Sequence, residues 1–198
     1  MNIRRSALQA LFTLIVALPA WMPAAFAGEA AALPDDSVYH LDMPLVDQEG
    51  RPFHLADRRG RPQLVSMFYS SCPYVCPLII DTLRMTQRAL PASDSSKLDI
   101  VMVSLDPERD TPARLKQVFG ERKLDPATWT LARTEAPNVR KLAAILGIQY
   151  RVLKDGGINH STSLLLLDAN GRIVAQSGKT GELDADLVAA IERTLAAD

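Results

Sequence analysis

The chain carries two cysteines, Cys72 and Cys76, and three histidines, His40, His54 and His160. Both cysteines fall in one stretch, SSCPYVCPLI (Ser70–Ile79), with three residues between them and a proline after each. A thiol pair this close can exchange disulfides, hold a soft metal ion, or act as a plain cross-link. A cross-link closing so small a loop contributes only about 2 kcal/mol in the chain-entropy model. A chain of this length buries a sufficient core without one. The choice is therefore between redox chemistry and metal binding. Two thiolates suit Cu(I) or zinc but need at least one further ligand for a defined site. The thiols alone leave both chemistries open.

The elements that must position them follow from periodicity. Val38–Leu55 reads as a β-hairpin turning at Glu49-Gly50, within DQEGRP. QLVSMFYS (63–70) is a buried strand candidate. From Pro77, PLIIDTLRMTQRAL has apolar residues at helical spacing, Leu78, Leu83, Met85 and Leu90 among them. Leu98–Asp106 is a second buried strand, and RDTPARLKQVFGER is a helix capped by Asp110 or Thr111 with Pro112 in its first turn. A short strand (TWTLAR), a helix ending near Gly147, and a strand-like YRVL follow. TSLLLLDANGRIVAQSG is a hairpin turning at Asn170-Gly171, and a closing helix ends the chain. Alternating β and α units ending in an antiparallel hairpin predict an α/β fold, a central mixed sheet flanked by helices. The cysteines then sit at the carboxyl end of the first main strand, where open α/β sheets place their sites.

Proline disfavours the α conformation in the residue before it. The stretch between the cysteines is thus expected to be a looped turn, with the helix starting at Pro77 and Cys76 at its cap. There the helix dipole would lower the thiol pKa. His40 and His54 fall in the N-terminal hairpin region and read as ordinary strand residues. His160, in KDGGINHSTSLLLLD, lies immediately before the last hairpin. In a thioredoxin-like sheet that entry loop faces the turn carrying the cysteines, which makes His160 the candidate third ligand.

Residues 1–27 have the form of a cleavable export signal: Arg4 and Arg5, the apolar run ALQALFTLIVALPAW, and AFA before Gly28. The alternative is a retained N-terminal membrane anchor. Cleavage would leave a flexible lead-in, 28–37, and one domain, 38–198. Loss of Arg4 and Arg5 takes the formal charge from −1 to −3. A mildly acidic chain without a Lys/Arg cluster argues against nucleic acid as a partner. The expected compartment is the periplasm, where a close thiol pair oxidises unless something reduces it.

Three blocks resemble the Sco/SenC family of copper proteins, which have a thioredoxin-like fold. FYSSCPYVCP is similar to that family's CxxxCP motif, VSLDPERDTPARL to its DPxRDTP block, and INHSTSLLLLDANG to its histidine block. Their order and spacing match as well, over roughly Val38 to the C-terminus. The resemblance implies that Cys72 and Cys76 are copper-binding thiols able to form a reversible disulfide, and that His160 is the histidine ligand. Asp106 and Asp110 match acidic positions near the site. Read without the family, they are a strand-end turn and a helix cap.

The implied function is that of a copper chaperone. It would hold Cu(I), or Cu(II) with an added oxygen ligand, and deliver it to the dinuclear copper centre of cytochrome c oxidase or another cuproprotein. Such a cycle needs a copper donor and a thiol reductant. The other reading is a thiol–disulfide oxidoreductase, with Cys72 attacking a client, Cys76 resolving and copper incidental. A thiol peroxidase would want threonine where Tyr69 stands, and zinc hydrolysis lacks a clearly placed general base. The chain departs from the family in Tyr74, where aspartate is common, in DGGIN before His160, and in its cleavable signal.

Overall fold

The computed structural model describes residues 32–72 and 75–197. The expected export signal, the first residues of the lead-in, and Pro73 and Tyr74 lie outside the described residues. Packed contacts begin before Val38. Leu33 lies against the core, and the Ser37 hydroxyl donates to the Asn170 carbonyl at 2.6 Å.

The strands are β1 (Leu45–Asp47), β2 (Pro52–Phe53), β3 (Gln63–Phe68), β4 (Asp99–Ser104), β5 (Trp129–Arg133), β6 (Tyr150–Val152), β7 (Ile158–His160), β8 (Leu164–Leu167) and β9 (Ile173–Ser177). The α-helices are α1 (Val75–Ala89), α2 (Ala92–Ser95), α3 (Pro112–Glu121), α4 (Ala136–Ile145) and α5 (Ala185–Ala197). Seven strands form one mixed sheet in the order β2-β1-β5-β4-β3-β8-β9. The segments β3, β4 and β5 run parallel, while β1 and β8 join antiparallel. The fold is thioredoxin-like, a central mixed sheet flanked by helices.

Every residue of QLVSMF in β3 and DIVMVS in β4 is buried. Both strands are interior to the sheet and buried on both faces, which is why polar residues do not alternate along them. The N-terminal hairpin closes through Asp47, whose Oδ1 accepts the N–H groups of Glu49 (2.8 Å) and Arg51 (2.9 Å). Asp168 does the same for the final hairpin, accepting from Asn170 and Arg172, both at 2.9 Å. Gly171 completes that turn at φ +80, where a Cβ would stand 2.6 Å from the Tyr39 ring. Only glycine fits both the backbone angle and the space.

The helix after β3 differs from expectation in two ways. It starts at Val75 rather than Pro77, and its buried stripe is Cys76, Ile79, Ile80 and Leu83. Leu78 is 45% exposed and Met85 only half-buried. Pro77 is third in the helix, where its missing N–H is one the helix leaves unpaired anyway. Burial of the neighbouring isoleucines outweighs the local bias against α geometry before proline. Between α1 and β4, residues 91–97 contain the single-turn α2.

The larger difference lies before β8. YRVLKDGGINH forms a second hairpin, in which β6 and β7 pair with Tyr150 opposite His160 and Val152 opposite Ile158. This pair is a separate two-stranded sheet and not part of the main one.

Candidate metal centre

The site is built at the carboxyl end of β3. Tyr69 follows that strand directly and touches each of the other groups. Its backbone N–H donates to the Cys76 sulfur at 3.4 Å. Its ring meets the His160 imidazole edge-on, with centroids 5.9 Å apart and planes at 75°. Its hydroxyl accepts the Ile158 N–H at 3.4 Å. Neither the cysteine spacing nor the histidine block singles Tyr69 out. The only sign of its role is its place at the end of a buried strand, three residues before Cys72.

Cys76 is buried and Cys72 half-buried, both as reduced thiols. Burial pushes the Cys76 thiol well up from its ordinary value, against the lowering effect of the Tyr69 N–H, and the nearby Cys72 and Asp110 raise it further. This corrects the expectation of a lowered pKa at a helix cap. Cys76 stands inside the first turn with its side chain against the core, so desolvation exceeds the helix-end field. Burial also raises the Tyr69 hydroxyl, and its hydrogen bond to Cys72 adds to that.

His160 faces the cysteines, but from strand β7 rather than from an entry loop. Its Nε2 lies 3.9 Å from the Cys76 sulfur. Its Nδ1 lies 3.1 Å from the Ser161 carbonyl oxygen. A carbonyl only accepts, so Nδ1 carries the proton and the Nε2 lone pair points at sulfur. Burial lowers the His160 pKa from its ordinary value, which keeps the ring neutral at pH 7.

Asp110 is fully buried. It is not the helix cap, a role taken by Thr111, whose hydroxyl accepts the Arg114 N–H at 3.3 Å. The Asp110 carboxylate instead accepts the Ser70 N–H at 3.0 Å and the Ser104 hydroxyl. Removing a buried acceptor of this kind leaves its donors unsatisfied at about 1–3 kcal/mol each. It therefore ties the cysteine segment to the end of β4. Arg114 adds a second tie, its Nε donating to the Ser70 hydroxyl at 3.1 Å. Asp106 is turned away from this network and binds Arg109 at 2.9 Å, while its own N–H donates to the Ser104 hydroxyl. His40 and His54 contact Pro34 and the carboxylates of Asp42 and Asp57, within the N-terminal region.

Among the described residues no three Cys, His, Asp or Glu side chains form a ready-made metal cage. What the site holds is the Cys76–His160 pair, with Cys72 beside it. For a d¹⁰ ion with bonds to sulfur and nitrogen of about 2.3 and 2.0 Å, ligands at ~120° are roughly 3.7 Å apart. The 3.9 Å span fits such an ion with little movement. The pair also suits thiol chemistry, with one half-exposed and one buried sulfur.

The SCO1/SenC family model matches residues 34–196. A SCO2-like protein of Rickettsia felis is 29% identical over 154 residues, covering 74% of this chain and 72% of that protein. The structure of Bradyrhizobium japonicum ScoI with copper bound is 26% identical, with a TM-score of 0.61 over 77% of this chain and 96% of that one. BsSco, described with a disulfide switch and as a member of the Sco family of cytochrome c oxidase assembly proteins, superimposes with a TM-score of 0.67. It is 18% identical over 78% of this chain and 92% of its own, a likeness of fold. With nearly all of its described residues inside the family match, this chain belongs to the SCO1/SenC family.

Proposed function

We propose that this protein is a copper chaperone that holds Cu(I) between Cys72, Cys76 and His160. It would release the ion to a copper site of cytochrome c oxidase or another cuproprotein in the periplasm. The observation that carries this reading is the 3.9 Å approach of a neutral His160 Nε2 to the Cys76 sulfur, with the tautomer set by Ser161. Thiolates and imidazole are soft donors that suit Cu(I). Copper bound in the related Bradyrhizobium ScoI supports the choice of ion. An acceptor with soft ligands can then exchange in one donor at a time, starting at the more exposed Cys72. Export by residues 1–27 fits this compartment, and no helix among the described residues is long and apolar enough to cross a membrane.

A second reading rests on the asymmetry of the two thiols. The Cys72 thiolate would attack a client disulfide, forming a mixed disulfide and freeing one client thiolate. Cys76 would then attack the Cys72 sulfur and free the second client thiol, so that the client gains two electrons and this chain loses two.

Titration with Cu(I) in competition with bathocuproine disulfonate separates the two. The reduced protein is expected to bind one Cu(I) per chain, and the Cys72–Cys76 disulfide form none. Equal binding by the reduced and disulfide forms would remove the thiols from the copper site and leave the exchange reading.

A further inference from the structure

His160 stands on a hairpin with few ties to the rest of the fold. Strands β6 and β7 pair only with each other. A two-stranded hairpin is marginal by itself. A cleft of about 260 Å³ separates part of it from the body, lined by Tyr150, Val152 and Ile158 of the hairpin and by Leu105, Val139 and Arg109 of the body. Arg109 ties the two. Its Nη1 donates to the Asp106 carboxylate at 2.9 Å and to the Gly156 carbonyl, in the hairpin turn, also at 2.9 Å. Gly156 has φ +82, and a Cβ there would stand 2.9 Å from Arg109 Nη2. The guanidinium is therefore seated directly on the turn. The hairpin's other polar contacts with the body, from the Ile158 N–H to the Tyr69 hydroxyl at 3.4 Å and from His160 Nε2 to the Cys76 sulfur at 3.9 Å, are longer.

Arg109 is anchored in its turn. Asp106 hangs on Ser104 through its N–H, Ser104 donates to Asp110, and Asp110 accepts the Ser70 N–H. One five-residue segment, Asp106–Asp110, thus grips both arms of the site: Asp110 the cysteine segment and Arg109 the histidine hairpin. We propose that Arg109 is a positioning residue for metal binding. Through Gly156 it fixes the hairpin that carries His160, and so the span between His160 and Cys76, without touching the ion. This rests on the reading of His160 as a copper ligand.

The test is Cu(I) affinity, by competition with bathocuproine disulfonate, for the full reduced chain and its variants. Arg109→Gln is expected to weaken binding about tenfold, the lower end of what loss of a supporting partner costs a metal site. Arg109→Lys, which keeps a charge able to reach one acceptor, should recover part of that loss. In a His160→Ala background the Arg109→Gln change should cost nothing more, because its route runs through the histidine. Arg109→Met, which keeps most of the side chain's length without its donors, gives the same comparison should Arg109→Gln fold poorly, and is expected to weaken binding likewise.

Wild-type affinity in Arg109→Gln, with His160→Ala still weakened, would overturn the positioning role and leave the copper reading intact. So would an equal loss from Arg109→Gln with and without His160. If His160→Ala binds as tightly as wild type, the ligand assignment itself fails, and the positioning role with it.

Discussion

His160→Ala is expected to lower Cu(I) affinity about a hundredfold, roughly 2.7 kcal/mol, while the Cys72–Cys76 disulfide still forms and exchanges at near the wild-type rate. Among the described residues the imidazole is the side-chain nitrogen placed at the Cys76 sulfur, with its lone pair already directed by the Nδ1 contact to Ser161. Its loss leaves a two-sulfur site whose remaining positions only solvent or a partner can fill. The thiols themselves are held by other groups: Cys76 by the Tyr69 N–H and the core, and the segment before Cys72 by Asp110 and Arg114. None of these contacts passes through the imidazole. Competition titration and a disulfide exchange assay on the same variant check the two halves. Unchanged copper affinity contradicts the chaperone mechanism, and collapsed exchange with unchanged affinity favours the oxidoreductase reading.

The second large effect is one of pH. Burial raises the Cys76 pKa, so at neutral pH the thiol keeps its proton and a metal ion must displace it. Metal affinity then rises with pH as long as the pH lies below that raised value. Displacing the Cys76 proton alone corresponds to about tenfold tighter binding per pH unit, hence at least about a hundredfold between pH 6.5 and 8.5. The His160 pKa is shifted the other way, lowered by burial, so protons compete with the metal for its Nε2 mainly at more acid pH and the ring adds little to the slope here. Cu(I) competition at several pH values, corrected for the chelator's own protonation, gives the slope. A flat profile over these two units would mean that Cys76 is not displaced from its proton and is not a ligand.

Much of this fold is legible in the sequence, and the reasons differ by element. Buried runs such as QLVSMF and DIVMVS have no polar alternation to confuse them, and the turns at Gly50 and Gly171 are marked by the Asp side chains that close them. The hairpin of β6 and β7 is harder to see. Its strands are three residues each and largely exposed, so only the first, within the strand-like YRVL, stands out. Asp155-Gly156, a turn dipeptide between YRV and INH, is the signal for the pairing.

At the site, residue type and spacing point to Cys72, Cys76 and His160, and the fold brings the latter two within 3.9 Å. The environment of Cys76 is not visible in the same way. Its burial depends on the helix starting at Val75 and turning Ile79 and Ile80 inward, a tertiary effect that overrides the preference of a residue before proline. The same holds for Asp110. As a residue type at the start of a helix it reads as a cap, yet the fold presses it against Ser70 and Ser104 and leaves capping to Thr111.

The central claim is that two sulfurs and one imidazole nitrogen converge on a single Cu(I). X-ray absorption of the reduced protein loaded with one equivalent of Cu(I) reads the donor set directly. Two sulfur scatterers near 2.2–2.3 Å and one imidazole shell near 2.0 Å are the expected result, on the order of d¹⁰ metal bond lengths. The imidazole shell should be lost in His160→Ala. A sulfur-only sphere in the wild-type protein, or an imidazole shell that survives that substitution, would contradict the account.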